Sequence, residues 1–212
     1  MKKLINVIEK NSKWLLLLLL CLVIFLVISK DVFVCKIMNY DLIGYGIISK
    51  YLISDTLTPF VKWITWFGSA TALILITLFI IIKNKQVGFL VGCNLIIITI
   101  LNQVLKLIIQ RPRPDEYRII DASGYSFPSG HSMISMAFYG FIIYLICKYV
   151  NNKILKYFLI GLLGSLIILI GVSRVYLGVH YVSDVIAGFI ISIAYLILFT
   201  EIVDRFMTKN YN

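Results

Sequence analysis

Charge is scarce in this chain. Only 14% of its 212 residues are Asp, Glu, Lys or Arg, while 60% are hydrophobic. A soluble domain carries about 25% charged residues to cover its surface, so the composition excludes one. Cysteine is equally sparse. Cys21, Cys35, Cys93 and Cys147 form no C-x-x-C and no Cys/His cluster, and three of them lie inside apolar runs. That excludes a disulfide framework and a structural zinc site. Acidic residues number 10 against 20 basic ones, for a net charge of +10. In a soluble protein this excess points to nucleic acid. Here the basic residues sit in short segments between apolar runs, where cytoplasmic loops and anionic headgroups favour them, so no nucleic-acid partner is expected. No repeat, low-complexity tract or soluble module interrupts the chain, and 1–212 reads as a single polytopic domain.

What the chain has in abundance is long apolar runs. Six are read as membrane spans, at about 14–29, 60–82, 86–106, 132–148, 155–174 and 182–202. About 20 apolar residues cross the hydrocarbon of a bilayer as a helix, and only a helix satisfies its own backbone there. The expected fold is therefore an all-α integral membrane bundle of six transmembrane helices. The first run, after Lys2, Lys3, Lys10 and Lys13, is read as a retained span, because no small-residue cleavage site follows it.

Loop charge orients the bundle. Those four lysines, then Lys83 and Lys85, then Lys148, Lys153 and Lys156, and finally Arg205 and Lys209, fall on one side, which is read as the cytoplasm. Both termini would be cytoplasmic in a multi-pass plasma-membrane protein. The outer side then carries 30–59, 107–131 and 175–181, with Asp31, Asp41, Asp55, Asp115, Glu116 and Asp121. Within the outer side, 41–53 is apolar but broken by glycines and is expected to lie as a short interfacial helix. Thr58-Pro59 is expected to open the second span as a cap and first-position proline. Gly88 and Gly92 form a G-x-x-x-G in the third, a spacing that permits close helix packing.

Five basic residues break the charge rule: Lys106, Arg111, Arg113, Arg118 and Arg174. Basic groups held at membrane depth on the wrong side need a reason, and an anionic ligand supplies one. Three outer stretches carry the polar residues concerned. They are Lys106 to Arg113-Pro114, Pro128-Ser129-Gly130-His131, and Ser173-Arg174 through His180 to Asp184. Together they hold three cations, a hydroxyl, a carboxylate and both of the chain's histidines. Lys106, Arg113 and Arg174 suit the oxygens of a phosphate, the arginines in fork geometry. Ser129 offers a hydroxyl and Gly130 an unobstructed backbone N–H at the positive end of a helix. Phosphoryl transfer needs mainly positioning and charge stabilisation. With no carboxylate cluster in sight, neither metal nor other cofactor is expected.

The four-residue spacing of His180 and Asp184 places them on one helix face if the last helix begins near His180. The carboxylate would then hold one ring nitrogen and leave the other as a nucleophilic lone pair. His131 is the candidate acid, then base. Arg111-Pro112-Arg113-Pro114 cannot continue a helix, so the third span should stop near Gln110, with Lys106 on its last turns and Arg113 beyond.

The pattern Lys106-x6-Arg113-Pro114, Pro128-Ser129-Gly130-His131 and Ser173-Arg174-x5-His180-x3-Asp184 resembles the three-part signature of the type-2 phosphatidic acid phosphatase superfamily. The superfamily includes bacterial membrane lipid phosphatases of the phosphatidylglycerophosphatase B and undecaprenyl-diphosphatase types, glucose-6-phosphatase and vanadium-dependent haloperoxidases. The resemblance implies phosphate held by Lys106, Arg113, Ser129, Gly130 and Arg174. It implies His180 as nucleophile, Asp184 as its partner and His131 as acid. It also implies a membrane lipid phosphate as substrate: undecaprenyl diphosphate, phosphatidylglycerol phosphate or phosphatidic acid, hydrolysed through a phosphohistidine at the outer face. Two other readings stay open: a lipid phosphotransferase using the same residues, and a non-catalytic lipid-phosphate binder or transporter. Oligomeric state is not legible. Arg111 and Arg118 match no signature position and are expected to face solvent or headgroups. Tyr125, Phe127, Tyr176 and Tyr181 are read as aromatics of the interfacial belt.

Overall fold

The computed structural model describes residues 2–115 and 118–209; Glu116, counted above among the outer acidic residues, lies outside them. Among the described residues there are eight α-helices and no strand. They are α1 (Lys2–Cys35), α2 (Asn39–Tyr51), α3 (Thr58–Trp66), α4 (Ala70–Lys83), α5 (Lys85–Ile109), α6 (Gly130–Tyr149), α7 (Lys153–Tyr176) and α8 (Val182–Lys209). Five stretches within them are long and apolar enough to cross a membrane, and α3 with α4 makes a sixth as a bent pair. The chain is an integral membrane protein. Leu16, Ile82 and Ile154 are 69%, 80% and 84% exposed, as side chains facing lipid rather than water should be.

The second span departs from the expected straight helix. It breaks at Phe67-Gly68-Ser69, and the two halves meet at 46°. Phe67 ends the first half and Ser69 starts the second, its hydroxyl accepting from the Ala72 N–H. The expected cap at Thr58 is also corrected. Leu57 precedes the helix without a side-chain cap, and the Thr58 hydroxyl donates back to the Ser54 carbonyl at 2.8 Å.

The basic-end turns are tight because asparagines cap them. Asn84 accepts from Val87 N–H to start α5, and Asn152 accepts from Leu155 N–H to start α7. Between α4 and α5 the close contact expected of the glycine pair falls at Gly88 alone. A Cβ there would stand 2.4 Å from Ile81 Cα, whereas one at Gly92 would meet only Thr77 Cγ2 at 3.7 Å. The interfacial helix expected over 41–53 is α2, and α5 ends as expected at Gln110, in the left-handed region with φ 50°.

Helix α6 is the hub. It packs against α5, α7 and α8, while α1 lies along α8, α3 against α7, and α4 against α5. Its Met133, Ala137, Phe138 and Phe141 are fully buried. The antiparallel order places the end of α5, the start of α6, the end of α7 and the start of α8 at one end of the bundle. The bend of α3 and α4, and helix α2, meet them there.

Candidate active site

The site grows from the four helix ends gathered there, two on each side of the α5–α6 and α7–α8 connections. After Gln110, Pro112 and Pro114 keep the chain extended, and a returning segment clamps it. Ser126 N–H donates to the Arg111 carbonyl at 2.9 Å, and its hydroxyl donates to the Pro112 carbonyl at 3.0 Å. Arg113 is thereby aimed back over the bundle. Its Nε donates to the Ser123 and Gly124 carbonyls, at 3.2 and 3.0 Å, and its Nη1 donates to the Val179 carbonyl at 2.9 Å. Lys106, on the last turn of α5, donates to the Tyr125 carbonyl.

Ser129 caps α6. Its hydroxyl oxygen accepts from the Ser132 N–H at 3.4 Å and from the Ser132 hydroxyl at 2.9 Å, which leaves its own proton to donate. The Ser129 N–H donates to the Asp184 carbonyl at 3.0 Å, joining the starts of α6 and α8. Gly130 begins α6 beside Asn102, whose amide donates to the Pro128 carbonyl at 3.2 Å. His131 follows, half-buried, amid the charges of Arg174, Arg113 and Lys106 and the second imidazole, His180.

The turn from α7 to α8 is closed by backbone. Gly178 takes φ +68°, a conformation open to a residue without Cβ, and the Val179 and His180 N–H groups both donate to the Arg174 carbonyl. Helix α8 begins at Val182, two residues later than the shared-face reading assumed. His180 and Asp184 meet even so, with Nδ1 3.3 Å from Oδ2. Asp184 stands at the third helical position and reaches back to accept from the Tyr181 N–H at 3.0 Å, half of a capping box. Cap and histidine therefore share one carboxylate.

The tautomer of His180 follows from these contacts. With Nδ1–H on Asp184, Nε2 carries the lone pair, and it lies 3.1 Å from Arg113 Nη1. Burial pushes the imidazole well below its ordinary value, to about 3, against the opposing pull of Asp184; Arg113 and Arg174 add to the depression. His180 is neutral at physiological pH.

Arg174 is buried at the end of α7. Its Nη1 donates to the Thr65 hydroxyl on α3 at 2.8 Å, and its Nε is buried without a partner among the described residues. Gly68, at the bend, lies against His131: a Cβ there would stand 3.1 Å from the ring's Cδ2. The bent span thus forms one wall of the site.

Lys106, Arg113, Ser129, Gly130, His131, Arg174, His180 and Asp184 all fall in this one end of the bundle. A cavity of about 320 Å³ opens beside them, lined by His180 and Arg113 together with Ile37, Leu42, Tyr45 and Tyr181. A larger groove of about 1080 Å³ lies among α1, α6, α7 and α8, lined by Trp14, Met136, Leu196 and other mostly apolar side chains and by none of the site residues.

Two expectations are corrected. Arg111 does not face solvent or headgroups; it is fully buried. Its Nη1 donates to Asp184 Oδ1 at 2.5 Å, and its Nη2 to Asp41 Oδ2 at 2.6 Å. Arg118 does stay at the surface, paired with Asp115. Among the belt aromatics, Phe127 is fully buried, the Tyr181 ring lies 4.0 Å from the Arg111 guanidinium, and the Tyr176 hydroxyl is 2.9 Å from that of Thr58. Reading the sequence also missed Asp41, Thr65 and Gly68. A signal for Arg111 was present: a charge fixed between a helix end and a proline at membrane depth. For the other three the sequence carries none.

Comparison with known proteins gives this arrangement a family. The profile described as the PAP2 superfamily matches residues 87–208. Phosphatidylglycerophosphatase B of Bacillus subtilis is 40% identical over 117 residues, covering 52% of this chain and 56% of that protein. The chain thus spans about half the length of that relative. Undecaprenyl-diphosphatase of Sulfolobus acidocaldarius is 26% identical over 195 residues, 86% of this chain and 87% of that one. The crystal structure described as the first transmembrane PAP2 type phosphatidylglycerolphosphate phosphatase from Bacillus subtilis superposes with a TM-score of 0.77 at 28% identity, covering 89% of this chain and 96% of that chain.

Proposed function

The chain belongs to the PAP2 superfamily, and we propose that it is a membrane lipid phosphatase that hydrolyses a lipid phosphomonoester or diphosphate through a phosphohistidine. One observation carries the reading. A neutral histidine, held by a buried carboxylate, presents its free nitrogen to a guanidinium among two further cations and a second imidazole. Binding an anion needs the cations; it does not need an oriented nucleophile.

Lys106, Arg113 and Arg174, with the Ser129 hydroxyl and the Gly130 N–H, hold the phosphate oxygens. The His180 Nε2 lone pair attacks phosphorus while the bond to the lipid oxygen breaks, and His131 gives that oxygen its proton. His131 then takes a proton from water, whose oxygen attacks phosphorus. The P–N bond breaks, phosphate leaves and His180 returns to neutrality. Asp184 balances the positive charge that the ring carries meanwhile. No step calls for a cofactor.

The substrate class rests on the membrane setting and on the relatives, which bear the names of enzymes for phosphatidylglycerol phosphate and undecaprenyl diphosphate. Loop charge supports an outward-facing site in the plasma membrane with cytoplasmic termini.

The test is a panel given to purified protein: a prenyl diphosphate, phosphatidylglycerol phosphate, phosphatidic acid and a soluble phosphate ester. Phosphate release from a lipid, unaffected by chelator and blocked by vanadate, is expected, with labelled phosphate trapped on His180 in a single turnover. Label passing to a second lipid would mean a phosphotransferase. Binding with no phosphoenzyme at any pH would mean a binder and would overturn the proposal.

A further inference from the structure

Arg111 lies in none of the three signature stretches' matched positions, yet it is among the largest fully buried side chains. Four of its five N–H bonds are taken. Nε donates to the Lys36 carbonyl at 2.6 Å, Nη1 to the Ser183 hydroxyl at 2.7 Å and to Asp184 Oδ1 at 2.5 Å, and Nη2 to Asp41 Oδ2 at 2.6 Å. Its flat face rests on the Tyr181 ring. Asp41, on α2, is 1% exposed, and its Oδ1 accepts from the Ser183 N–H at 2.8 Å. One cation is thus shared between two buried carboxylates, and the second carboxylate is the one that holds His180.

We infer that Asp41 and Arg111 are positioning residues for His180: Asp41 of helix α2 fixes Arg111, and Arg111 fixes both the orientation and the basicity of the Asp184 carboxylate. This rests on the proposed role of His180. Asp184 has two oxygens with separate tasks. Oδ1 faces Arg111, and Oδ2 faces His180 Nδ1 and the Tyr181 N–H. A guanidinium on Oδ1 locks the carboxylate plane, so Oδ2 cannot rotate away from the ring. It also draws charge from the carboxylate and so limits its pull on the imidazole proton. Asp41 opposes this draw by sharing the same cation. Helix α2 is therefore part of the active site rather than only a surface helix.

The arrangement makes a prediction in which the two partners act with opposite sign. The charged and titratable groups around His180 are Asp184 of α8, Arg174 of α7, His131 of α6 and Arg113 of the segment that follows α5; Lys106 of α5 and Arg111 act on Asp184, and Asp41 of α2 acts on Arg111. In R111Q the guanidinium hydrogen-bonded to Asp184 is gone, and only the charges of Lys106 and Arg113 still act on that carboxylate. Asp184 pulls harder on the ring proton, and the acid limb of kcat/KM moves up by about one pH unit, the low end of the effect of a neighbouring charge. In D41N the whole charge of Arg111 falls on Asp184, and the same limb moves down. In both, kcat falls about 10-fold or more with KM nearly unchanged, as expected when the nucleophile rather than phosphate binding is disturbed. D41E returns the limb toward wild type.

The experiment is the pH profile of phosphate release from phosphatidylglycerol phosphate in detergent micelles by wild type, R111Q, D41N and D41E, each first shown to be monodisperse. Opposite shifts support the inference. Limbs that stay in place, or move together, overturn it and leave the network a structural one. If R111Q does not accumulate, D41N and D41E decide alone by the downward shift and its rescue. If wild type hydrolyses nothing, the functional reading has failed separately. Exchange of the His180 C2 proton, followed by mass spectrometry against pH, then compares the same proteins without substrate.

Discussion

The Nε2 of His180 lies 3.1 Å from Nη1 of Arg113, so the ring nitrogen that Asp184 leaves free is covered by a guanidinium N–H. The same Nη1 donates to the Val179 carbonyl, one residue before the histidine. For the proposed mechanism this means that a phosphate oxygen has to draw Arg113 off the ring before Nε2 can approach phosphorus. In the proposed mechanism the cation that covers Nε2 is also one that binds the phosphate.

Removal of either imidazole should abolish phosphate release while the protein still inserts and folds. His180→Ala loses the nucleophile, an effect of about 10⁶-fold where an attacking group is deleted from a comparable constellation. His131→Ala loses a proton donor, about 10²–10⁴-fold. Steady-state rates on monodisperse protein check this. Wild-type turnover by His180→Ala would end the mechanism.

The pH dependence has a definite sign. Burial lowers His180 to about 3, so its neutral, nucleophilic form prevails throughout the physiological range and is lost only as pH falls toward that value. The enzyme's acid limb in kcat/KM should lie well below the ordinary histidine value of about 6.5. Bound phosphate brings negative charge to the ring and raises it, so the limb in kcat should lie above that in kcat/KM. A diphosphate substrate and a monoester should be profiled together, because a monoester titrates itself near about 6. Asp184→Asn removes the group that opposes the depression. It should lower kcat by about 10⁴-fold, as loss of the orienting carboxylate does in a triad.

The bend in the second span should matter to catalysis although neither of its residues was expected there. Thr65→Val removes the hydroxyl that accepts from Arg174. Vanadate inhibition should weaken about 10-fold, the size of one hydrogen bond to a charged group at ~1.5 kcal/mol. Gly68→Ala places a methyl 2.7 Å from Ile170 Cγ2 and 3.1 Å from His131 Cδ2. His131 must shift, and kcat should fall roughly 10²-fold with little change in KM, because small misplacements of reacting groups are costly. Inhibition constants and initial rates read the two effects separately.

Orientation can be read from the native thiols. Cys35 ends α1 and Cys147 lies in the last turn of α6, both exposed and at opposite ends of the bundle. With the site outward, a membrane-impermeant maleimide should label Cys35 in intact cells and Cys147 only after permeabilisation. The reverse order would place the site in the cytoplasm.

The sequence alone determined what short-range chemistry controls. Apolar runs demand helices in lipid, Pro112 and Pro114 keep α5 from continuing past Gln110, and the spacing of His180 and Asp184 lets one turn of chain join them. The meeting of Asp184 with His180 survived even though α8 starts late, because four residues near a helix start are close in any case. Tertiary structure alone decided the rest. Arg111 finds Asp41 and Asp184 across 70 and 73 positions of chain, and Arg174 finds Thr65 across 109. The local pattern marks Arg111 as a charge fixed beside a proline at membrane depth, but it does not say which carboxylates will bury it. Only the packing of α2, α5 and α8, which removes water from all three groups at once, makes the pairing obligatory.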